Sequence, residues 1–396
     1  VTGTVPGPRA ETASPPWQGV FARLCAVLLL TFTAFGSAVP VLPRLITDDL
    51  DGSGLAVGAA FTCSALAALL ARPYVGRFAQ RAGARPVIAA GTALAVVVGT
   101  AYGPAALLGT GAGTAALLAV RILMGLAEAA VFTAGSLWVV TLAPAGRRGQ
   151  LVGWYGLAMW GGWTLGPVIG EALRREAGYG AVWLLHVLLP AAATVTALRL
   201  PPHRPGSGEP SRRLVPRSAL LPGTALALAA VGYSALAGFA VLYLDDRGLG
   251  GGSLLLGLFG TAYIAVRLAF GRLPDRVGAA RIAVVCGLLE ATGLVMIALA
   301  PGLWVAAAGA LVMGAGFTLL YPSLALLVID RSAPADQGAA LGAYTSFWDL
   351  GLGAAGLLTG AIAAGLGHRE VFAAAALTAA TAALAGGAAG RRRPAT

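Results

Sequence analysis

The sequence predicts an all-α integral membrane protein, twelve transmembrane helices in two pseudo-symmetric six-helix bundles, on three observations. Hydrophobic residues make up 58% of the 396-residue chain and charged residues only 11%, far from the balance of a soluble domain. Apolar stretches approaching or exceeding the ~20 residues that carry a helix across the hydrocarbon core recur along it. An arginine and glycine cluster, RPYVGRFAQRAGAR at 72–85, returns as RLAFGRLPDRVGAAR at 267–281. Arg72, Gly76, Arg77, Arg81 and Gly83 coincide with Arg267, Gly271, Arg272, Arg276 and Gly278, so the repeating unit is about half the protein, far longer than a solenoid period.

Residues 1–16 hold Pro6, Pro8, Pro15 and Pro16 and lack a charged-then-apolar signal with a small-residue cleavage site, so they read as a disordered tail. The first bundle occupies 17–198, with spans expected at 21–42, 55–70, 87–102, 115–140, 151–173 and 181–198. At 199–217, Pro201, Pro202, Pro205, Pro210 and Pro216 are mixed with arginines, which suits an extended polar linker rather than another span. The second bundle takes 218–387, with spans at 220–244, 254–270, 282–300, 303–328, 339–363 and 371–385, and 388–396 forms a short basic tail.

Every basic residue is arginine. With both termini in the cytoplasm, only Arg44, Arg174, Arg175, Arg247 and Arg369 fall outside, and Arg121 falls within a span. All others sit at cytoplasmic edges, the bias that orients membrane proteins. The formal net charge of +11 is therefore a topology signal, and without a soluble basic domain nucleic acid is not an expected partner. Cys25, Cys63 and Cys286 lie in apolar stretches as packing residues and imply neither disulfide nor metal framework. No nucleotide loop, metal cluster or nucleophile constellation points to an enzyme or to a cofactor. Arginine in place of lysine, with abundant alanine and glycine, points to a GC-rich bacterial genome and so to a bacterial cytoplasmic membrane.

Read physically, 76–85 is a tight connection in which glycines permit the turn and arginines hold it in the cytoplasm. The second copy sets Asp275 among Arg272, Arg276 and Arg281, where charge-assisted bonds can form and break as two halves move. These copies resemble the major facilitator superfamily, whose loop between the second and third helices reads approximately G-x-L-A-D-R-x-G-R-R and is echoed between the eighth and ninth. Gln80 stands at the aspartate position of the first copy. The resemblance therefore implies a charge latch working mainly through the second half, with Arg331 as a partner for Asp275.

In the fifth span, Gly153, Gly162, Gly166, Pro167 and Gly170 resemble the antiporter signature of drug and proton exchangers, with Glu171 in place of its final glycine. Spacing by four puts Gly162, Gly166 and Gly170 on one smooth stripe for close helix packing. Pro167 removes a backbone donor and favours a bend.

The fourth span carries RILMGLAEAA, which resembles the family's R-x-x-Q-G-x-x-x-A segment, with Met124 where glutamine is common. Arg121 and Glu128 are seven apart, nearly two turns, and share a helix face. A charge at a span's centre costs roughly 2.5 to 3.5 kcal/mol on insertion scales, so such residues face a wet cavity or a partner. Two readings stay open: structural pairing, or proton coupling with Glu128 as carrier and Arg121 setting its charge state and contacting substrate. Asp349, in TSFWDLGLG, is either a hydrogen-bonded packing carboxylate or a second proton site. Glu290 reads as structural or at the lipid edge, and His186 as packing.

In the resembled fold, helices one, four, seven and ten line a central cavity, which implies Phe35, Tyr233, Phe317 and Tyr321 as substrate-facing groups beside Arg121. Rings with few charges favour amphipathic or hydrophobic solutes. The resemblance implies a secondary transporter, monomeric in habit, that exports a small compound in exchange for protons by rocking two bundles. One alternative is a proton-coupled symporter importing a metabolite, with Arg121 holding an anion. Another is a membrane sensor that has lost transport, suggested by Gln80 and Glu171.

Overall fold

The computed structural model of the chain describes residues 17–142, 144, 148–202, 217–332 and 337–391, and among these every regular element is helical. The expected tail at 1–16, most of the linker and the last five residues lie outside the described residues. The first half runs through α1 (Trp17–Ala38), the short α2 (Val41–Arg44) with a π-helical turn at Leu45–Asp49, α3 (Gly54–Ala82), α4 (Ala84–Leu107), α5 (Ala112–Leu142) and α6 (Arg148–Leu198). The second half runs through α7 (Arg217–Asp246), α8 (Gly252–Phe270), the short α9 (Leu273–Val277), α10 (Ala279–Ala298), α11 (Leu303–Ile329), α12 (Gln337–Gly365) and α13 (His368–Arg391).

Eleven of these helical runs are long and apolar enough to cross a membrane. The 51 residues of α6 would extend over twice the ~30 Å hydrocarbon core at 1.5 Å per residue. Gly178, with φ 77° and ψ −178°, breaks α6 into two crossings and gives twelve in all. The fifth and sixth spans are thus joined at one backbone kink rather than by a loop. At the other end of the chain α13 continues to Arg391, past the expected boundary at 387, because alanine-rich sequence propagates helix readily.

The duplicated cluster also departs from a simple loop. In the first copy α3 runs through Gly76, Arg77 and Arg81, and the chain turns only at Gly83, whose φ of 90° suits glycine. In the second copy α8 stops at Phe270 and a new short helix starts at Leu273, before the equivalent turn at Gly278 with φ 106°. Pro274 stands where the first copy has Ala79, and a proline there has no N–H for the carbonyl of Phe270 and clashes with it.

The two halves repeat one packing plan. The pairs α4 with α5, α3 with α5, and α1 with α6 recur as α10 with α11, α8 with α11, and α7 with α12. Between the halves, α3 packs on α12 and α6 on α8. Because crossings alternate, the start of α1 and the end of α13 share one face of the membrane, here the terminal side. The bundles meet most closely on the opposite, far side. A Cβ at Gly58 would strike the backbone oxygen of Gly356, one at Gly54 would press on Ala363, and the Thr62 hydroxyl donates to Gly353 O at 2.7 Å. Thr164 and Val168 of α6 fill the equivalent seam against Gly260 and Gly257 of α8.

Candidate functional site

On the terminal side of those seams a cavity of about 270 Å³ lies between the bundles. Arg121, Glu128 and Asp349 all line it, as do Tyr233, Phe317 and Tyr321. Seven further rings complete the wall: Phe61, Phe132, Tyr155, Trp160, Trp163, Tyr263 and Trp348. Trp160 stacks on Tyr263 with centroids 4.3 Å apart and meets Tyr233 edge-on at 5.6 Å. Phe317 lies 5.5 Å from Trp348. Rings at these separations form a rigid surface against which a planar solute can stack.

Arg121 is held against α3. Its Nε donates to Ala60 O at 3.1 Å, Nη2 donates to Ser64 Oγ at 2.8 Å, and Nη1 lies 2.5 Å from Met124 Sδ. Its guanidinium also covers the ring of Phe61 at 5.4 Å. Gly125 lets α5 approach α3 closely enough for these bonds, since a Cβ there would collide with the carbonyl of Ser64. Arg121 and Glu128 share the cavity face, yet no described side chain bonds to Glu128. Its carboxyl is left to solvent or cargo, within the electrostatic reach of Arg72, Asp349 and Arg121.

Asp349 takes Arg72 as its partner across the bundles. Arg72 Nη2 donates to Oδ1 at 2.9 Å, and Nε lies 2.7 Å from Oδ2 but off the donor direction, a charge contact more than a hydrogen bond. Arg72 also sits 5.4 Å from the ring centroid of Phe132. In the sequence Arg72 is indistinguishable from the other topology charges except for its place in the duplication, equivalent to Arg267. Arg267 lines the cavity as well.

Phe35 is not a cavity residue. It is fully buried inside the first bundle, 5.6 Å from Phe32 and 5.8 Å from His186. Its neighbour Gly36 is the reason: Gly36 faces Gly162, Gly166 and Pro167. The next residue back points about 100° away from that contact. His186 packs among Phe35 and Tyr102. Glu290 is fully buried with no hydrogen-bond partner among the described residues, packed near Gly232 of α7 and Gly316 of α11 rather than at a lipid edge.

Gly162, Gly166 and Gly170 lie along α1, where any Cβ would meet the backbone of Phe32, Thr33, Gly36 or Ser37. Gly153 is different: nothing lies within 4 Å of a Cβ there, and it borders the cavity. In the repeated cluster Arg77, Arg81, Gly271, Arg272, Asp275, Arg276 and Gly278 are exposed, Gly76 is half-buried and Gly83 buried. Among the described residues no ion pair reaches Asp275.

The far side carries a second charge cluster that joins the bundles. Arg44, at the end of α2, donates through Nη1 to Glu171 Oε1 at 2.7 Å and through Nε to Asp245 Oδ2 of α7 at 2.7 Å. Glu171 also accepts from Arg174 Nε at 3.0 Å and from Arg175 Nε at 2.7 Å. The residue that departs from the antiporter signature is therefore the hub of a five-residue network.

The sequence profile of the Major Facilitator Superfamily matches residues 24–257 and again 223–396. The chain is 32% identical over 361 residues to the Uncharacterized MFS-type transporter STM4428 of Salmonella typhimurium, covering 88% of this chain and 91% of that one. Among solved structures, the nucleoside transporter NupG superposes with a TM-score of 0.74 at 15% identity, covering 94% of this chain and 100% of that one. A bacterial homologue of the human lysosomal transporter Spinster, inward-facing and occupied, gives 0.75 at 15% identity over 96% of this chain and 98% of that one. At such identities the likeness concerns the fold alone.

Proposed function

The chain belongs to the Major Facilitator Superfamily, and we propose that it is a proton-coupled secondary transporter that moves a small amphipathic organic compound by alternating access. One observation carries this reading: Arg121, Glu128 and Asp349 share a ring-lined cavity between two bundles, in a span-rich chain where isolated charges are expensive. Glu128, with no hydrogen bond from the described residues, is the proton carrier; Arg121 sets the field around it. The Arg72–Asp349 pair joins the bundles at the cavity, a charge contact whose geometry changes when they rock. With the far side shut by Arg44, Glu171 and Asp245, the structure corresponds to a state facing the terminal side, which we assign to the cytoplasm on the arginine bias. That no ion pair reaches Asp275 among the described residues fits the same state, since a cytoplasmic latch would be open in it.

Efflux in exchange for protons is favoured by the glycine pattern of α6, which resembles the signature of drug and proton exchangers and here sets α6 against α1. A symporter is the second reading, and the arginine excess in the cavity favours it. Everted vesicles loaded with a pH-sensitive dye separate them. An exchanger releases lumenal protons when its cargo is added, and a symporter does not. Glu128→Gln should abolish proton-coupled movement in either case while the protein still inserts; normal coupling in that variant and in Arg121→Ala would reduce both residues to packing. Any gradient-driven flux rules out a transport-inactive sensor.

A further inference from the structure

We propose that Arg267 is the docking residue for an anionic group and that the cargo is a small planar aromatic carboxylate. The inference rests on the carrier reading above but not on its direction. Three arginines line the cavity, Arg72, Arg121 and Arg267, against two carboxyl groups, Glu128 and Asp349. Their bonding differs. Arg72 is neutralised by Asp349 at 2.7 Å, and Arg121 spends all three nitrogens on Ala60, Met124 and Ser64. Arg267, the duplicate of Arg72, has no carboxylate within ion-pair distance among the described residues. Among those residues its one side-chain hydrogen bond runs from Nη1 to Thr318 O at 3.3 Å. Most of the five N–H donors of a planar fork that matches a carboxylate thus have no partner among the described residues, on a side chain that lines the cavity.

The place of Arg267 supplies the rest of the argument. On α8, Tyr263 lies one turn away on the same face, so a group held by Arg267 extends directly onto a ring. Tyr263 stacks on Trp160 at 4.3 Å and lies 6.3 Å from Phe317. The Thr318 hydroxyl donates to Tyr263 O at 2.8 Å, which ties α11 to α8 beside the carbonyl that steers Arg267. A flat apolar body stacked there and a carboxylate on the guanidinium would satisfy both surfaces together. A cationic cargo would meet an unscreened arginine, and a neutral one would leave its donors unmet.

The test is equilibrium binding to purified protein in lipid nanodiscs, by calorimetry, with three probes of one shape: 2-naphthoate, 2-naphthamide and 2-naphthylmethylammonium. The intact protein should bind the carboxylate about tenfold or more tighter than the other two, as charge-assisted hydrogen bonds of ordinary strength require. Arg267→Gln should bring carboxylate and amide to equal affinity, and Arg267→Lys, a point charge without the fork, should keep part of the preference. The proposal is overturned if the intact protein fails to bind 2-naphthoate, if it prefers the amide or the ammonium, or if Arg267→Gln retains the preference. Should Arg267→Gln not fold, Arg267→Lys and the three-probe ranking on the intact protein still decide. Flux in proteoliposomes separates this failure from that of the carrier reading. Transport of the ammonium probe would sink the docking role and leave the carrier; selective anion binding with no flux of any probe would do the reverse.

Discussion

Arg72 and Asp349 lie 277 positions apart in sequence, and no local pattern could have paired them. Asp349 stood out as a carboxylate in an apolar span, whereas Arg72 looked like one more basic residue at a membrane edge. Both side chains are largely buried, at 15% and 3% exposure, so removing one charge leaves the other uncompensated. Breaking a buried pair in this way costs about 3 kcal/mol, less here because Arg72 is partly wet. Arg72→Gln and Asp349→Asn should each lower the melting temperature of the purified protein and suppress flux. The double variant should melt higher than the sum of the two losses, because neither charge is then orphaned. Additive losses would show that the pair is a coincidence of position.

At the scale of elements, spans were legible because length and apolarity alone decide them. The rotation of a helix about its axis was not, since it depends on which neighbour packs closest. The glycine stripe on α6 was readable, but that Gly36 of α1 meets it was not, and so Phe35 was expected at the cavity and lies in the bundle core. The same contact yields a contrast between two glycines of one motif. Gly166→Leu would drive a branched side chain into the backbone of Thr33 and Gly36, with the nearest atoms 2.5 to 2.7 Å from a Cβ. Overpacking of this kind costs about 1–3 kcal/mol when neighbours can shift, and backbone shifts poorly. Little monodisperse protein should survive size-exclusion chromatography. Gly153→Ala meets nothing within 4 Å and should yield normal amounts; equal behaviour of the two would mean the stripe does not bring α1 and α6 together.

For the whole molecule, the duplication foretold two like bundles, and the contacts that hold one face shut come from residues at which the copies differ. Glu171 belongs to α6, Asp245 to α7 and Arg44 to the connector after α1, with Arg44 bridging the halves. As a departure from the signature, Glu171 read as a loss. In space it gathers three arginines. Alternating access requires that this cluster part when the cavity opens to the far side, so weakening it should shift the balance of states. The bond that parts is Arg44–Asp245, and Glu171 holds Arg44 in place for it; since a charge-assisted hydrogen bond is worth about 1.5–3 kcal/mol, the shift from Glu171→Gln is capped at roughly ten- to a hundredfold in population. The check uses a background in which Cys25, Cys63 and Cys286 are replaced by alanine, with a membrane-impermeant maleimide. Ser136→Cys reports the cavity and Thr62→Cys reports the α3–α12 seam on the far side. With Glu171 intact, the Ser136 site should label from the terminal side and the Thr62 site resist. Glu171→Gln should raise labelling at Thr62 from the far side and lower it at Ser136. If it raises Thr62 alone, the seam has loosened without rocking; if it moves neither site, closure rests on the glycine contacts of α3 and α12, where Gly58 meets Gly356, and the charges merely decorate a face already sealed by packing.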